Sequence, residues 1–181
     1  MRKLTLLPLL LLLTVSLFSQ TAKPSPAIPK LAVWQITPTV SVQYDPTVWK
    51  LGTTDNSQVL LLMGEDKAPR NIMLNVTILP TDKLSAADVI ASRIAATEDE
   101  RGVAELVTKE YQAGDEYGVL FGYTRNVDGK DYVAGRWSFA GDKLDTKSRS
   151  VIEFEGVIPI AKENDDIMSK MNDVIKTYKI K

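Results

Sequence analysis

The strongest constraint on how this chain can fold is the pair of segments on either side of Gly129. Tyr117-Gly118-Val119-Leu120-Phe121-Gly122-Tyr123-Thr124-Arg125 and Tyr132-Val133-Ala134-Gly135-Arg136-Trp137-Ser138-Phe139 are both rich in aromatic and β-branched residues, and Asn126-Val127-Asp128-Gly129-Lys130-Asp131 lies between them. The pattern predicts a β-hairpin, with Gly129 supplying the positive φ that its turn requires. If Asp128-Gly129 are the two central residues, Arg125 faces Tyr132, Tyr123 faces Ala134 and Leu120 faces Trp137. A three-residue loop with Gly129 in the left-handed region slides every pairing by one, and both registers stay open at this level. In either, apolar residues fall on both sides of both strands. That predicts a sheet covered on both faces, with helices as the cover.

The chain opens Met1-Arg2-Lys3, runs apolar from Leu4 to Phe18 with few interruptions, and turns polar at Ser19-Gln20-Thr21-Ala22. A basic start, a short apolar stretch and a small-residue exit predict a cleavable secretory signal peptide over 1–22. The apolar run falls short of the roughly 20 residues that a spanning helix needs, so no stable membrane insertion is expected after cleavage. There is no cysteine. Neither a disulfide framework nor lipid attachment at an N-terminal cysteine is therefore open to the chain, and the secreted or periplasmic domain must be held by its own core. Of the 22 basic residues, Arg2 and Lys3 lie in the signal segment, which leaves 20 against 23 acidic ones and a net charge of −3. Such a balance gives no electrostatic footprint for nucleic acid.

Lys23-Pro24-Ser25-Pro26-Ala27-Ile28-Pro29-Lys30 alternates proline with small or basic residues and predicts an extended linker, assigned to 23–38, ahead of a single domain over 39–181. Ordered structure is expected to begin at Leu31 to Ile36 or at Val40. Thr39 to Tyr44 alternates at period two and ends at Asp45-Pro46, a turn signal before Trp49. Val59 to Met63 and Asn71 to Leu79 read as the next strands of an antiparallel meander. Ser85 is expected to cap a first helix, with Asp88 completing a capping box, Leu84 stapling onto Val89, and Gly102 as the C′ residue. Glu98-Asp99-Glu100 stands at the end of that helix, where the dipole disfavours anions. A frayed, solvated turn accounts for these acids more simply than a cation site. Val103 to Tyr111, the hairpin, and Ser148 to Phe154 supply further strands, with Gly141 to Lys147 as a polar loop. A second helix, capped near Asn164, should bury Ile167, Met168, Met171, Val174, Ile175 and Tyr178. The two helices can then lie on opposite faces of one sheet.

The chain lacks histidine as well as cysteine. The commonest general base and the commonest soft-metal ligands are missing, and no nucleophile elbow, phosphate loop or dinucleotide fingerprint appears. No catalytic, cofactor or metal residue is assigned. Glu153 and Glu155, two apart on a strand, could in principle serve a carboxylate-only hydrolase, but a solvated sheet edge is the simpler reading. Asn126, Asp128 and Asp131 are explained by turn chemistry rather than by a calcium loop. The sequon Asn75-Val76-Thr77 falls within a strand and is discounted. Trp34, Trp49, Trp137, Tyr44, Tyr123 and Tyr132 belong either to the core or to a ligand cleft. Arg125 and Arg136 stand on strands expected to be covered, where a charge needs a partner, and would form a small anion site if they converged. The candidate binding surface is accordingly Trp49, Tyr123, Arg125, Tyr132 and Arg136.

Tyr44-Asp45-Pro46 followed by Trp49 resembles the strand, proline turn and tryptophan that open PsbP-like domains. That superfamily also takes in bacterial DcrB-type proteins and the Ran-binding Mog protein. The order of strands, helix, long hairpin and closing amphipathic helix over Val40 to Tyr178 fits the same pattern. The resemblance implies an α+β fold, an α/β/α sandwich around an antiparallel sheet, and a non-enzymatic accessory role binding a protein or a cell-envelope component. A small-molecule carrier with an apolar cavity between sheet and helix is the alternative. The metal-site histidines of some photosystem relatives have no counterpart here, and no functional residue is carried over.

Overall fold

The computed structural model describes residues 30–54, 57–82, 84–143 and 149–181; the signal segment 1–22 and the linker as far as Pro29 lie outside them. The first strand, β1 (Ala32–Gln35), falls inside the stretch read as linker and pairs with β2 (Val40–Tyr44). After Tyr44 the chain turns sharply. The Asp45 carboxylate accepts from Thr47 N–H and hydroxyl at 2.8 and 2.7 Å, and Trp49 N–H donates to Asp45 O at 2.9 Å. This Asx-type turn does more than join consecutive strands of a meander. It carries the chain into a second sheet, so the expectation of a single sheet is corrected to two.

The larger sheet takes β3 (Trp49–Thr54), β4 (Ser57–Met63), β5 (Pro69–Pro80), β6 (Val103–Ala113), β7 (Glu116–Val127), β8 (Lys130–Lys143) and β9 (Arg149–Pro159). Its order is β3-β4-β5-β9-β8-β7-β6, with every pairing antiparallel. Helix α1 (Ala86–Glu98) spans the long crossover from β5 to the far edge, and the meander β6 to β9 returns to close against β5. Helix α2 (Ile167–Ile175) leads into β10 (Lys179–Ile180), which pairs with β2 and completes a three-stranded sheet.

At the hairpin the open question of register is resolved. Asp128 and Gly129 both have positive φ, 51° and 76°, the signature of a two-residue type I′ turn. Arg125 faces Tyr132, Tyr123 faces Ala134, and Leu120 faces Trp137. Around the turn, Asn126 Nδ2 donates to Asp131 at 2.7 Å and Gly129 N–H donates to Asn126 Oδ1 at 3.2 Å. Strand β8 runs on through Gly141 to Lys143, where a loop was expected. Residues 144–147 of that loop, and Ser148 at the start of the next expected strand, lie outside the described residues.

This register assigns the two faces. Trp137, Phe139, Ile152, Phe154 and Ile158 face α2 and share one buried cluster with Trp34, Val40, Val42 and the α2 residues Ile167, Met171, Val174 and Ile175. Phe139 stacks on Tyr178 with ring centroids 4.4 Å apart. Three glycines stand in line across this face, Gly122 opposite Gly135 and Gly135 opposite Gly156. They leave a trough for the methionines of α2: a Cβ at Gly135 would come within 3.2 Å of Met168 Sδ, and one at Gly156 would collide with Met171. A buried trough filled by flexible thioethers seats the helix closely on the sheet. The amphipathic pattern of α2 is as read from sequence, but its start is not. Asn164 ends a short 3₁₀ turn, Lys162–Asn164, and its side chain bonds Arg70 and Pro159 O instead of capping; Asp166 is the N-cap residue.

The opposite face carries α1. Its capping box forms as expected, Ser85 Oγ accepting from Asp88 N–H at 3.1 Å while the Asp88 carboxylate accepts from Ser85 N–H at 3.2 Å. The staple does not: Leu84 is 57% exposed, because Val89 turns inward onto Val151. Nor is Gly102 the C′ residue. The helix ends at Asp99, and Gly102, with φ of 85°, belongs to the following turn, in which Val103 N–H donates to Glu100 O at 3.2 Å.

Candidate functional site

Beneath the C-terminal half of α1 the sheet presents charge rather than apolar packing. Alternation on β9 sends Val151, Glu153 and Glu155 to this side, and β9 lies in the middle of the sheet, between β5 and β8. The sheet-edge reading of these carboxylates is thus overturned: Glu153 is 2% exposed. Arg93, on the inward side of α1, donates to it from Nη2 at 2.8 Å and Nε at 3.4 Å, and Ser138 Oγ reaches it at 3.4 Å. These hydrogen bonds hold the Arg93 guanidinium above its ordinary pKa.

Arg136, directly opposite Glu155 in the ladder, is 6% exposed. Its Nε donates to Glu155 at 2.6 Å, its Nη1 to Thr97 Oγ1 at 2.5 Å, and its Nη2 lies 3.7 Å from Glu100. The guanidinium carbon sits 5.7 Å and 5.5 Å from the ring centroids of Phe121 and Tyr123. Burial opposes its charge, but the Glu155 carboxylate outweighs burial and the pKa stays raised. Tyr123 donates its hydroxyl to Glu155 at 3.2 Å; burial, reinforced by the Glu155 charge, pushes its pKa up to about 12.

Three arginines, Arg93, Arg125 and Arg136, therefore meet three glutamates, Glu100, Glu153 and Glu155. Arg125 and Arg136 do converge, but on Glu100, at 3.4 and 3.7 Å. The charges that would have drawn an anion are already met from within the chain. Of the acids at the end of α1, Glu100 finds its reason here, since the turn through Gly102 holds it over the two arginines against the preference of the helix dipole. Two signals in the sequence pointed to this network. Ile90, Arg93 and Thr97 recur at helical spacing on the inward side of α1, and three acids at a helix C-terminus stand in the same chain as two arginines on covered strands.

Of the five residues assigned to a binding surface, Tyr123, Arg125 and Arg136 belong to this network, and half-buried Tyr132 faces Arg125 across the hairpin. Trp49 lies elsewhere. It is 2% exposed and lines a pocket of about 300 Å³ on the α2 side with Tyr44, Asp45, Lys170 and Asp173. Lys170 there is engaged by Asp166 at 2.7 Å, and Asp45 by its own turn. Trp34 and Trp137 are wholly buried, each with its indole N–H donated at 3.0 Å, to Gln58 and Asn172 respectively.

Sequence reasoning missed the largest concavity on the α1 side. Toward its N-terminal end α1 presents Ala86, Ala87 and Ala91 to the sheet, where Gly118 and Val119 lie below, leaving an open groove of about 590 Å³. Tyr117 stands on its border, 72% exposed. The alanines of α1 favour the helix by propensity. Their small size on the inward face is what opens the groove.

No protein-family model and no curated protein matches this chain. Its architecture is similar to that of LpqN from Mycobacterium tuberculosis, a protein involved in cell envelope biogenesis, with 11% identity and a TM-score of 0.63 over 83% of this chain and 90% of LpqN. A Bacteroides thetaiotaomicron protein is similar at 12% identity and a TM-score of 0.53 over 81% of this chain, which spans 47% of that larger protein. Cyanobacterial PsbP from Synechocystis sp. PCC 6803 aligns at 15% identity and a TM-score of 0.49 over 90% of this chain and 99% of that one. At such identities the likeness is one of fold. No helix among the described residues is long and apolar enough to cross a membrane. The fold of this chain is an α+β arrangement of antiparallel sheets flanked by two helices, and it is shared with LpqN.

Proposed function

We propose that this is a secreted or periplasmic, non-enzymatic accessory domain that binds a protein or a cell-envelope component along its α1 side. The observation that carries the reading is the open apolar groove between α1 and β7, bordered by the exposed ring of Tyr117. An aromatic side chain left in water beside an unfilled apolar surface is the composition of an interaction patch. The carboxylates that a hydrolase would need support the same reading, because Glu153 and Glu155 are held by Arg93 and Arg136 beneath a helix. The envelope role of LpqN, a protein of similar fold, is consistent with an envelope component as the partner.

The carrier reading has one observation in its favour, the pocket of about 300 Å³ beside Trp49 and Tyr44. Native mass spectrometry of the protein isolated from cells that make it separates the two. Accessory binding predicts the bare polypeptide mass or a complex with a macromolecule. Extra mass of a few hundred daltons, lost on denaturation, would overturn it in favour of a carried ligand.

A further inference from the structure

The two helices are attached to the sheet by different means. Helix α2 and the short segment after it bury Ile167, Met171, Val174, Ile175 and Tyr178 to between 0% and 2% exposure, seated on the glycine trough. Over thirteen residues α1 buries two apolar side chains, Val89 and Ile90, and these remain 9% and 8% exposed. Ala86 and Ile94 add half-buried apolar packing, and the remaining attachments are polar clasps: Arg93 to Glu153, and Thr97, which is fully buried, accepting from Arg136. When such clasps part, each charged group exchanges its partner for water, whereas parting α2 would expose apolar surface with no such compensation. Segments with few buried apolar contacts open at lower free energy than the core around them.

Other features favour motion of α1 as one body. Its alanines and its capping box favour the helical state locally. At its C-terminal end the turn through Gly102, with φ of 85°, joins it to the edge strand β6, which bulges between Ala104 and Val107. The groove beside its N-terminal half leaves the flank at Ala87 and Ala91 without a close-packed layer to resist displacement.

We propose that α1 is a movable lid, fastened by the Arg93–Glu153 and Arg136–Thr97 clasps, whose release widens the groove beside Tyr117 while α2 stays fixed. The inference rests on the attachment of the helix and stands whether or not the groove binds a partner. Hydrogen exchange of the full chain under native conditions tests it, read at amides of Ile90 to Thr97, of Met171 to Ile175, and of β9. The lid predicts that α1 amides exchange at least tenfold faster than those of α2 and β9. It also predicts that Arg93→Met, which keeps the aliphatic stem but not the clasp, speeds α1 severalfold further and changes α2 by less than twofold. Equal protection of α1, α2 and β9 in the wild-type protein would overturn the proposal without recourse to any variant. So would an Arg93→Met protein in which all three accelerate together.

Discussion

The sheet has two dissimilar sides. Toward α2 it is a dry interior of tryptophan, phenylalanine and methionine seated on a row of glycines. Toward α1 it carries a lattice of three arginines and three glutamates at one end and an unfilled groove at the other. The contrast teaches that covering both faces of a sheet does not make both faces core. Area removed from water holds one helix; matched charges and a few modest apolar contacts hold the other. A chain free to optimise stability alone would replace a buried ion network with apolar packing of equal volume, at no loss.

Truncations on the two sides should therefore differ. Phe154→Ala, emptying the centre of the α2 side, is expected to destabilise by about 3–5 kcal/mol in urea denaturation, and Ile90→Ala on the α1 side by no more than about 2 kcal/mol. Equal losses would erase the distinction. Arg136→Met comes next. Removing the buried guanidinium leaves Glu155 without its main partner, and a loss of about 3 kcal/mol is expected, the lower end for a broken buried pair because Glu155 keeps 30% of its side-chain surface in water.

Tyr123 sharpens the comparison through pH. Its folded pKa of about 12 stands above the ordinary value of 10.0, so the neutral phenol favours the native state. That contribution is complete below pH 10 and is lost as pH rises from about 10 to about 12, on the order of 2–3 kcal/mol by linkage. Chemical denaturation across this range should show a weaker alkaline fall for Tyr123→Phe than for wild type. An identical fall in both proteins would mean that the phenol is not held neutral by its burial against Glu155. The smallest effect belongs to Leu84→Ser. With its side chain 57% in water and no staple formed, stability should move by less than about 0.5 kcal/mol.

What could be read from the residues divides along the same line. The hairpin, the capping box of α1 and the buried stripe of α2 follow from local periodicity and turn chemistry, which short windows of sequence contain. The separate β1-β2-β10 sheet does not, because it joins segments at the two ends of the domain. The charge network was half visible. Arg125 and Arg136 stood out as charges on covered strands, but Glu153 and Glu155 were taken for a sheet edge. The place of β9 at the centre depends on the β5–β9 pairing across the whole α1 crossover. The groove left no trace as a motif, being an absence of bulk where Ala87 and Ala91 face Gly118 and Val119.

The central claim is that the α1 side meets a partner while the α2 side is structural. Site-specific photo-crosslinking in cells that make the protein tests it most directly, with the reactive side chain placed at Tyr117, 72% exposed on the groove, and separately at Lys176, exposed just beyond α2. The account predicts a discrete adduct from position 117 and none from 176. An adduct from 176 alone, or the same adduct from both positions, would contradict it.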